Sequence, residues 1–355
     1  MNKDEQILIS KCISELNLQI KFFEKNKNLF ISLGETWSDR AFKMLNALKK
    51  DNNILKNFKR SNLFNSDIPA GNMNIFKEIV YKIFSLLPKF LGYHPYVNLL
   101  EDSYEIIKEE GALNILKENP ITSTGNPIIY KKNEVNFTYR WLRHILIFYY
   151  YKKIFSKISE VNIIADIGTG YGTFPILIKK NFNKTKFILI DLPEQLCAAY
   201  YYIKSEFPDA KIPSFEQIAD AQNLDRNFFE KFDFSLVPCF LVDKIHKNSS
   251  DLVTNFASFN EMPKVWFDKY MKSELFKSSK YLYTMNRISR PPMNNNEDYK
   301  ISILDMNLNN YEKIFFDVFK LYKWKYLTVK FLNLPIYAKK DWHDPSFIFA
   351  GKKYN

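Results

Sequence analysis

Apolar residues recur every three to four positions through the first third of the chain, then give way after residue 160 to unbroken runs rich in Ile, Val and Phe. Over 7–30, 38–50, 74–87 and 104–116 they fall at i, i+3, i+4 and i+7, which places them on one face of a helix. Segments rich in Asn, Ser, Pro and Gly, at 61–72 and 119–127, separate these periodic stretches. Residues 1–135 therefore read as a helical domain without strands, expected to cover a cleft or to form a homodimer interface. The aromatic-rich stretch 139–155 reads as the helix leading into a second domain, 136–355.

In that second domain apolar strands alternate with helices, the signature of a parallel sheet. Strands are expected at 162–167, 186–191, 232–238, 251–257 and 280–286, closed by an antiparallel hairpin of 325–332 with 346–351. Helices are expected near 173–181, 193–206, 262–277 and 310–322, and the polar segment 291–298 reads as a loop. The predicted architecture is a Rossmann-like α/β fold, mostly parallel with a C-terminal antiparallel hairpin, plus the N-terminal helical domain. Ligands of such sheets bind at the carboxyl ends of the strands.

One strand–turn–helix–strand segment, 161–191, specifies a ligand. The run from Val161 ends near Asp166, glycines follow at 168, 170 and 172, and Asp191 closes the next strand 25 residues after Asp166. Glycine serves where φ is positive or where a ligand lies against bare main chain. The helix behind it offers unpaired N–H groups, and an acid at the tip of the second strand can hold both hydroxyls of a ribose. The ligand is expected to contain a nucleoside, with Asp166, Gly168, Thr169, Gly170, Gly172, Asp191 and Leu192 as the residues around it. A dinucleotide fingerprint would need glycine at 173, where the chain has Thr173.

Charge and cysteine content narrow the class further. The net charge of +12 raises the question of a polynucleotide partner, but lysines are scattered in ones and twos and greatly outnumber arginines, so nucleic acid is not the expected substrate. Three widely spaced cysteines, Cys12, Cys197 and Cys239, argue for reduced thiols and against a zinc site. No apolar run approaches the roughly 20 residues of a membrane-crossing helix, and the first residues lack the order of a signal peptide. No membrane insertion and a cytoplasmic location are expected.

The pattern D-x-G-x-G-x-G over Asp166–Gly172 resembles that of class I S-adenosylmethionine (SAM)-dependent methyltransferases. The segments 251–262 and 281–287, together with 125–144, resemble sugar O-methyltransferases of bacterial capsule and lipopolysaccharide clusters. The resemblance implies SAM as cofactor, S-adenosylhomocysteine as product, and as acceptor a nucleotide-activated sugar such as a heptose. It further implies that Pro238 and Cys239 wall the adenine and that Asn255 and Ser258 lie by the cofactor. Plant small-molecule O-methyltransferases share the Asp-Leu-Pro seen here at 191–193 and place a catalytic histidine just beyond strand 4. Here that neighbourhood is Ser258-Phe259-Asn260-Glu261, with no histidine.

Methyl transfer to a hydroxyl needs an oxygen held in line behind the methyl group, helped by a general base or a divalent metal. Glu261 is the leading candidate base, its other role being an acid in the first turn of a helix opened by Met262-Pro263. His246, His144 and Asn260 are the further catalytic candidates, while His94 and His343 read as packing residues. Asn286 and Arg287, ending the fifth strand, are candidates for a sugar hydroxyl or phosphate. No Asp/Glu/His cluster with metal-ligand spacing is evident, so the metal is left open. Two other classes fit less well: a nucleic-acid methyltransferase, and a non-catalytic SAM-binding subunit that docks a partner.

Overall fold

The computed structural model describes residues 3–26, 35–51, 53–60, 95–158, 160–288, 301–322, 324–331, 334–341 and 345–354. The helix expected at 74–87, the loop at 291–298, His94 and His343 lie outside the described residues. The chain opens with α1 (Lys3–Lys25), α2 (Glu35–Lys50), the single turn α3 (Asn53–Lys56), α4 (Pro95–Glu109) and α5 (Leu113–Glu118). A short antiparallel hairpin follows, β1 (Tyr130–Lys132) with β2 (Val135–Phe137), in a region expected to lack strands. Its tight turn is made by Asn133 and Glu134, both left-handed at φ 46° and 65°. Without a glycine there, nothing in the local sequence announces a hairpin.

Helix α6 (Tyr139–Phe155) starts where the Thr138 side chain accepts from the Trp141 N–H, a cap worth about 1 kcal/mol. Its buried residues lie all around it, because it is wedged between the N-terminal helices and the sheet. Trp141 Nε1 donates to the Asn119 carbonyl on one side, and Tyr283 Oη donates to the Ile147 carbonyl on the other.

The sheet elements then follow in order: β3 (Ile163–Ile167), α7 (Thr173–Asn181), β4 (Lys186–Asp191), α8 (Pro193–Glu206), α9 (Phe215–Asp220), α10 (Arg226–Glu230), β5 (Phe234–Pro238), β6 (Leu252–Phe256), α11 (Lys264–Lys272), α12 (Glu274–Ser278), β7 (Tyr281–Arg287), β8 (Tyr311–Val318), β9 (Trp324–Phe331), β10 (Leu334–Asp341) and β11 (Ser346–Lys353). Seven strands pair in the order β5-β4-β3-β6-β7-β11-β8. The first five are parallel, and β11 runs antiparallel to both neighbours. The chain thus enters at the middle, walks to one edge and returns, giving a Rossmann-like α/β sheet whose crossover point lies between β3 and β6.

Both faces of the five parallel strands are buried, which is why they read as continuous apolar runs rather than as alternation. Ile164, Phe187, Leu189 and Tyr283 face a cluster shared with α1, α6, α7 and α8. Ile163, Ala165, Ile188, Ile190 and Leu282 face the cluster under α9–α12.

Three expectations need correction. Residues 311–318 form strand β8, not the helix expected at 310–322. Most of β8 is exposed, with Ile314 and Phe316 at 41% and 40%, so no buried face imposes a two-residue alternation. Segment 346–353 pairs with β7 and β8, and the separate hairpin is β9 with β10. The helix expected at 262–277 is two, because Ser273 ends α11 and caps α12, accepting from the Phe276 N–H.

Candidate active site

At the carboxyl end of β3 the chain turns through Gly168, Gly170 and Gly172 with φ of 72°, 58° and 82°, all in the left-handed region that glycine alone enters without penalty. Their duties differ. A Cβ on Gly168 would lie 1.9 Å from Ser258 Oγ, so this glycine exists to let the turn pack against the end of β6. Gly172 caps α7 and faces Ala199 and Ile203. A Cβ on Gly170 would meet nothing within 4 Å, and this is the point where bare main chain is open to a ligand.

The tip of β4 closes onto that turn. One Asp191 oxygen accepts from the Gly170 N–H at 2.6 Å and the other from the Leu192 N–H at 2.7 Å, and the Gly168 N–H donates to the Ile190 carbonyl. Pro238 is the register partner of Asp191. Cys239, buried in the turn that follows, has its thiol pushed up by burial and then by the charges of Asp191 and Glu194. Asp191, Leu192, Pro238 and Cys239 therefore form one rim beside Gly170. Glu194, fully buried in the first turn of α8, adds an acid that sequence reasoning passed over; a Pro-Glu helix start was the available signal.

Asp166 points the other way, into the protein. It is buried and accepts from Thr254 Oγ1 at 2.6 Å. Burial lifts its carboxyl to about 6, the Thr254 hydroxyl pulling in the opposite direction. The hydroxyl of its neighbour Thr169 is buried in the same turn.

At the ends of β6 and β7 the polar side chains bond to one another, the buried Oδ1 of Asn286 being left without a hydrogen-bond partner among the described residues. Asn255 Nδ2 donates to the Ile167 carbonyl and to Ser258 Oγ, and Ser258 Oγ donates to Ile167 as well. Asn286 Nδ2 donates to Asn255 Oδ1 and Thr284 Oγ1. Asn260 donates to the Ile301 carbonyl and accepts from the Arg287 N–H at 2.8 Å. Asn255, Asn260 and Asn286 are all buried, and this network holds the strand ends together. Ala257, a non-glycine at φ 67°, bends the chain out of β6 toward Ser258, a conformation that costs roughly 1–2 kcal/mol. Arg287 is half-buried and Glu261 exposed. Glu261 lies in a short 3₁₀ turn, and α11 begins only at Lys264, so its expected place in that helix's first turn is corrected.

The two candidate histidines part company. His246 is exposed and precedes β6. Two residues on, the Asn248 N–H donates to Ser278 Oγ just before β7, and Asp251 accepts from the N–H groups of Asn162 and Ile163 at the start of β3. His246 thus sits at the amino end of the sheet, a strand length of about 17 Å from the glycine turn. His144 lies in the first turns of α6, and the residue one turn earlier, Arg140, has its guanidinium 5.3 Å from the centre of the Tyr171 ring in the glycine turn itself. The His144 Nδ1 is 2.8 Å from the Arg140 carbonyl, which can only accept, so the proton sits on Nδ1 and Nε2 keeps its lone pair. Burial, then the charge of Arg143, holds this imidazole well below its usual range. Among the described residues no group of three or more His, Cys, Asp or Glu is placed to hold a metal ion, and no helix is long and apolar enough to cross a membrane.

No family model matches the chain, and no curated protein matches it. Similar solved structures include an uncharacterised protein from Listeria monocytogenes serotype 4b, 12% identical over 57% of this chain and 66% of that one, with a TM-score of 0.33. They also include a precorrin-6y C5,15-methyltransferase from Geobacter metallireducens, 13% identical over 60% of this chain and 88% of that one, TM-score 0.30. A third is M. capricolum TrmK in complex with S-adenosyl-homocysteine, 13% identical over 58% and 68%, TM-score 0.32. Similarity this slight says nothing of substrate, which only the chain's own residues can address.

Proposed function

We propose that the chain is a SAM-dependent O-methyltransferase whose acceptor is the hydroxyl of a sugar, carried on a nucleotide and destined for a surface polysaccharide. The observation that carries the reading is the union of Asp191 with the open glycine: the acid ending β4 is bonded to the Gly170 N–H, and a Cβ there would enter free space. A nucleoside with a short polar tail fits that rim, with Asp191 turned to the ribose, Pro238 and Cys239 beside the base, and the 168–172 turn against the methionine end. When bound, SAM supplies a methyl group on a positively charged sulfur, ready for in-line transfer to an oxygen.

The protein's own part is to hold that oxygen and take its proton. His144 is the base we favour over Glu261, being neutral, buried and oriented through its Nδ1, whereas Glu261 is exposed. Arg140, Arg143 and Arg287 offer positive charge for a phosphate-bearing acceptor. Residues 1–135 are read as the cap: Phe22 and Phe23 of α1 reach Phe240, next to Cys239.

Calorimetric titration with SAM, S-adenosylhomocysteine and NAD tests the cofactor; tight NAD binding without SAM binding overturns it. Labelled SAM incubated with nucleotide sugars, total RNA and genomic DNA tests the acceptor. Transfer to the polynucleotides alone, with the steep salt dependence of a phosphate-backbone contact, would replace the sugar by a nucleic acid.

A further inference from the structure

Between Gly170 and Gly172 stands one side chain, Tyr171, and it is buried. Flanked by two glycines in the left-handed region, it is the handle by which the rest of the protein can grip the turn. Two groups from outside the sheet grip it. The Phe58 ring meets it edge-on at 4.9 Å, and the Arg140 guanidinium lies 5.3 Å from its centre. Phe58 also packs against Tyr201 and Tyr202 of α8.

Phe58 is itself held in place by an unusual concentration of contacts. A Cβ on Gly125 would come within 2.5 Å of the Phe58 ring, so the 122–126 turn lies directly on it. The Lys59 N–H donates to the Gly125 carbonyl, Arg60 donates to the Asn126 carbonyl and side chain, and Asn126 Nδ2 donates to Asn57 Oδ1. Lys59, a lysine only 1% exposed, ends on Tyr202: its Nζ is 3.2 Å from the hydroxyl and 4.3 Å from the ring centre. Burying an ammonium group to this degree is costly unless it is bonded and faces π-electrons, so the chain invests in keeping 57–60 where it is.

We infer that Phe58 is a positioning residue for the cofactor turn: segment 53–60, latched by the 122–126 turn, clamps Tyr171 and so fixes the open amide face at Gly170. Resting on the SAM reading above, this makes the N-terminal segment part of the cofactor's binding energy, and by linkage bound cofactor holds the segment down in return.

The test has a ligand-free arm and a ligand arm. In the protein without ligand, amide exchange of the 168–174 peptide is measured for wild type, Phe58→Leu, Tyr171→Leu and the double variant; exchange about tenfold faster in each is expected. In calorimetry the SAM Kd should rise roughly 5- to 20-fold in either single variant, the effect of losing one or two aromatic contacts, and no further in the double variant. A purely structural role would instead lower Tm while leaving Kd and turn exchange unmoved. Unchanged turn exchange in Phe58→Leu overturns the clamp whatever the ligand. Faster exchange in a protein whose wild type binds no SAM would uphold the clamp and refute the cofactor reading.

Discussion

The two halves of the carboxyl-end rim use their polar groups in opposite ways. Beside β3, β4 and β5 the main chain is presented bare: Gly170 is open and Asp191 spends one lone pair on each of two amides. Beside β6 and β7 the side chains are turned inward, Asn255 and Asn260 bonded at both ends of their amides and Asn286 donating to Asn255. Asn255 and Asn260, bonded through both the oxygen and the nitrogen of their amides, have little left to offer a substrate, whereas the buried Oδ1 of Asn286 has no hydrogen-bond partner among the described residues. The polar groups ending β6 and β7 therefore serve chiefly to hold the strand ends together, and in the reading proposed above the base comes from α6 instead.

The largest test of that contrast is turnover. His144→Gln should lower it by roughly 100- to 10,000-fold, the range for a positioned base, with SAM affinity kept. Glu261→Gln and His246→Ala should stay near wild type. Because burial depresses the His144 pKa, the rate should also remain flat through pH 6.5. Collapse in Glu261→Gln with normal His144→Gln activity would return the base to the end of β6.

Next come the glycines. Gly168→Ala forces a Cβ against Ser258 Oγ and should cost about 2–5 kcal/mol from overpacking and a left-handed alanine, visible as loss of soluble protein. Gly170→Ala should cost only about 1–2 kcal/mol for the backbone conformation, yet abolish measurable SAM binding. Equal Tm losses in the two variants would erase the distinction between packing glycine and ligand glycine.

Asp166 supplies a pH signature. Its folded pKa, about 6, exceeds the ordinary 3.8, so its protonated form stabilises the fold. That contribution is complete below pH 3.8, declines as pH rises through 6, and amounts to about 3 kcal/mol by linkage. Melting curves from pH 4 to 7.5 should show this slope in wild type and lose it in Asp166→Asn. The smallest effect is expected for Asp191→Ala, a loss of about 1.5–3 kcal/mol in SAM binding from one charged partner, read by calorimetry at unchanged fold.

What was legible beforehand divides along the same line. The segment from β3 to β4 and α8 matches its sequence-based bounds closely, since apolar runs, glycines and a Pro-Glu helix start are local signals. Local pattern reads β8 as a helix and, while marking β11 correctly as a strand, gives it the wrong partner, because the strands they pair with lie tens of residues away and no window of sequence contains both. At the site, the spacing puts Asp191 at the end of the strand beside the glycine turn, but does not foresee its bond to the Gly170 N–H. His246, read as a candidate from the loop before the fourth parallel strand, lies at that strand's amino end, as a residue preceding a parallel strand must. Phe58, Tyr171 and Arg140, by contrast, are brought together from three separate elements, and no pattern in any one of them points to the others.

The position of β11 also constrains how the protein is made. It is synthesised after β8 yet lies between β7 and β8, so during translation β7 and β8 emerge as two unpaired edges with nothing between them. Such edges are templates for pairing with other chains, and closing them demands a contact over more than sixty residues, from Tyr281 to Lys352, which slows folding. A ribosome that stalls before residue 346 would leave β7 and β8 without the strand that joins them, making the nascent chain's exposure to aggregation a matter of how quickly β11 is delivered.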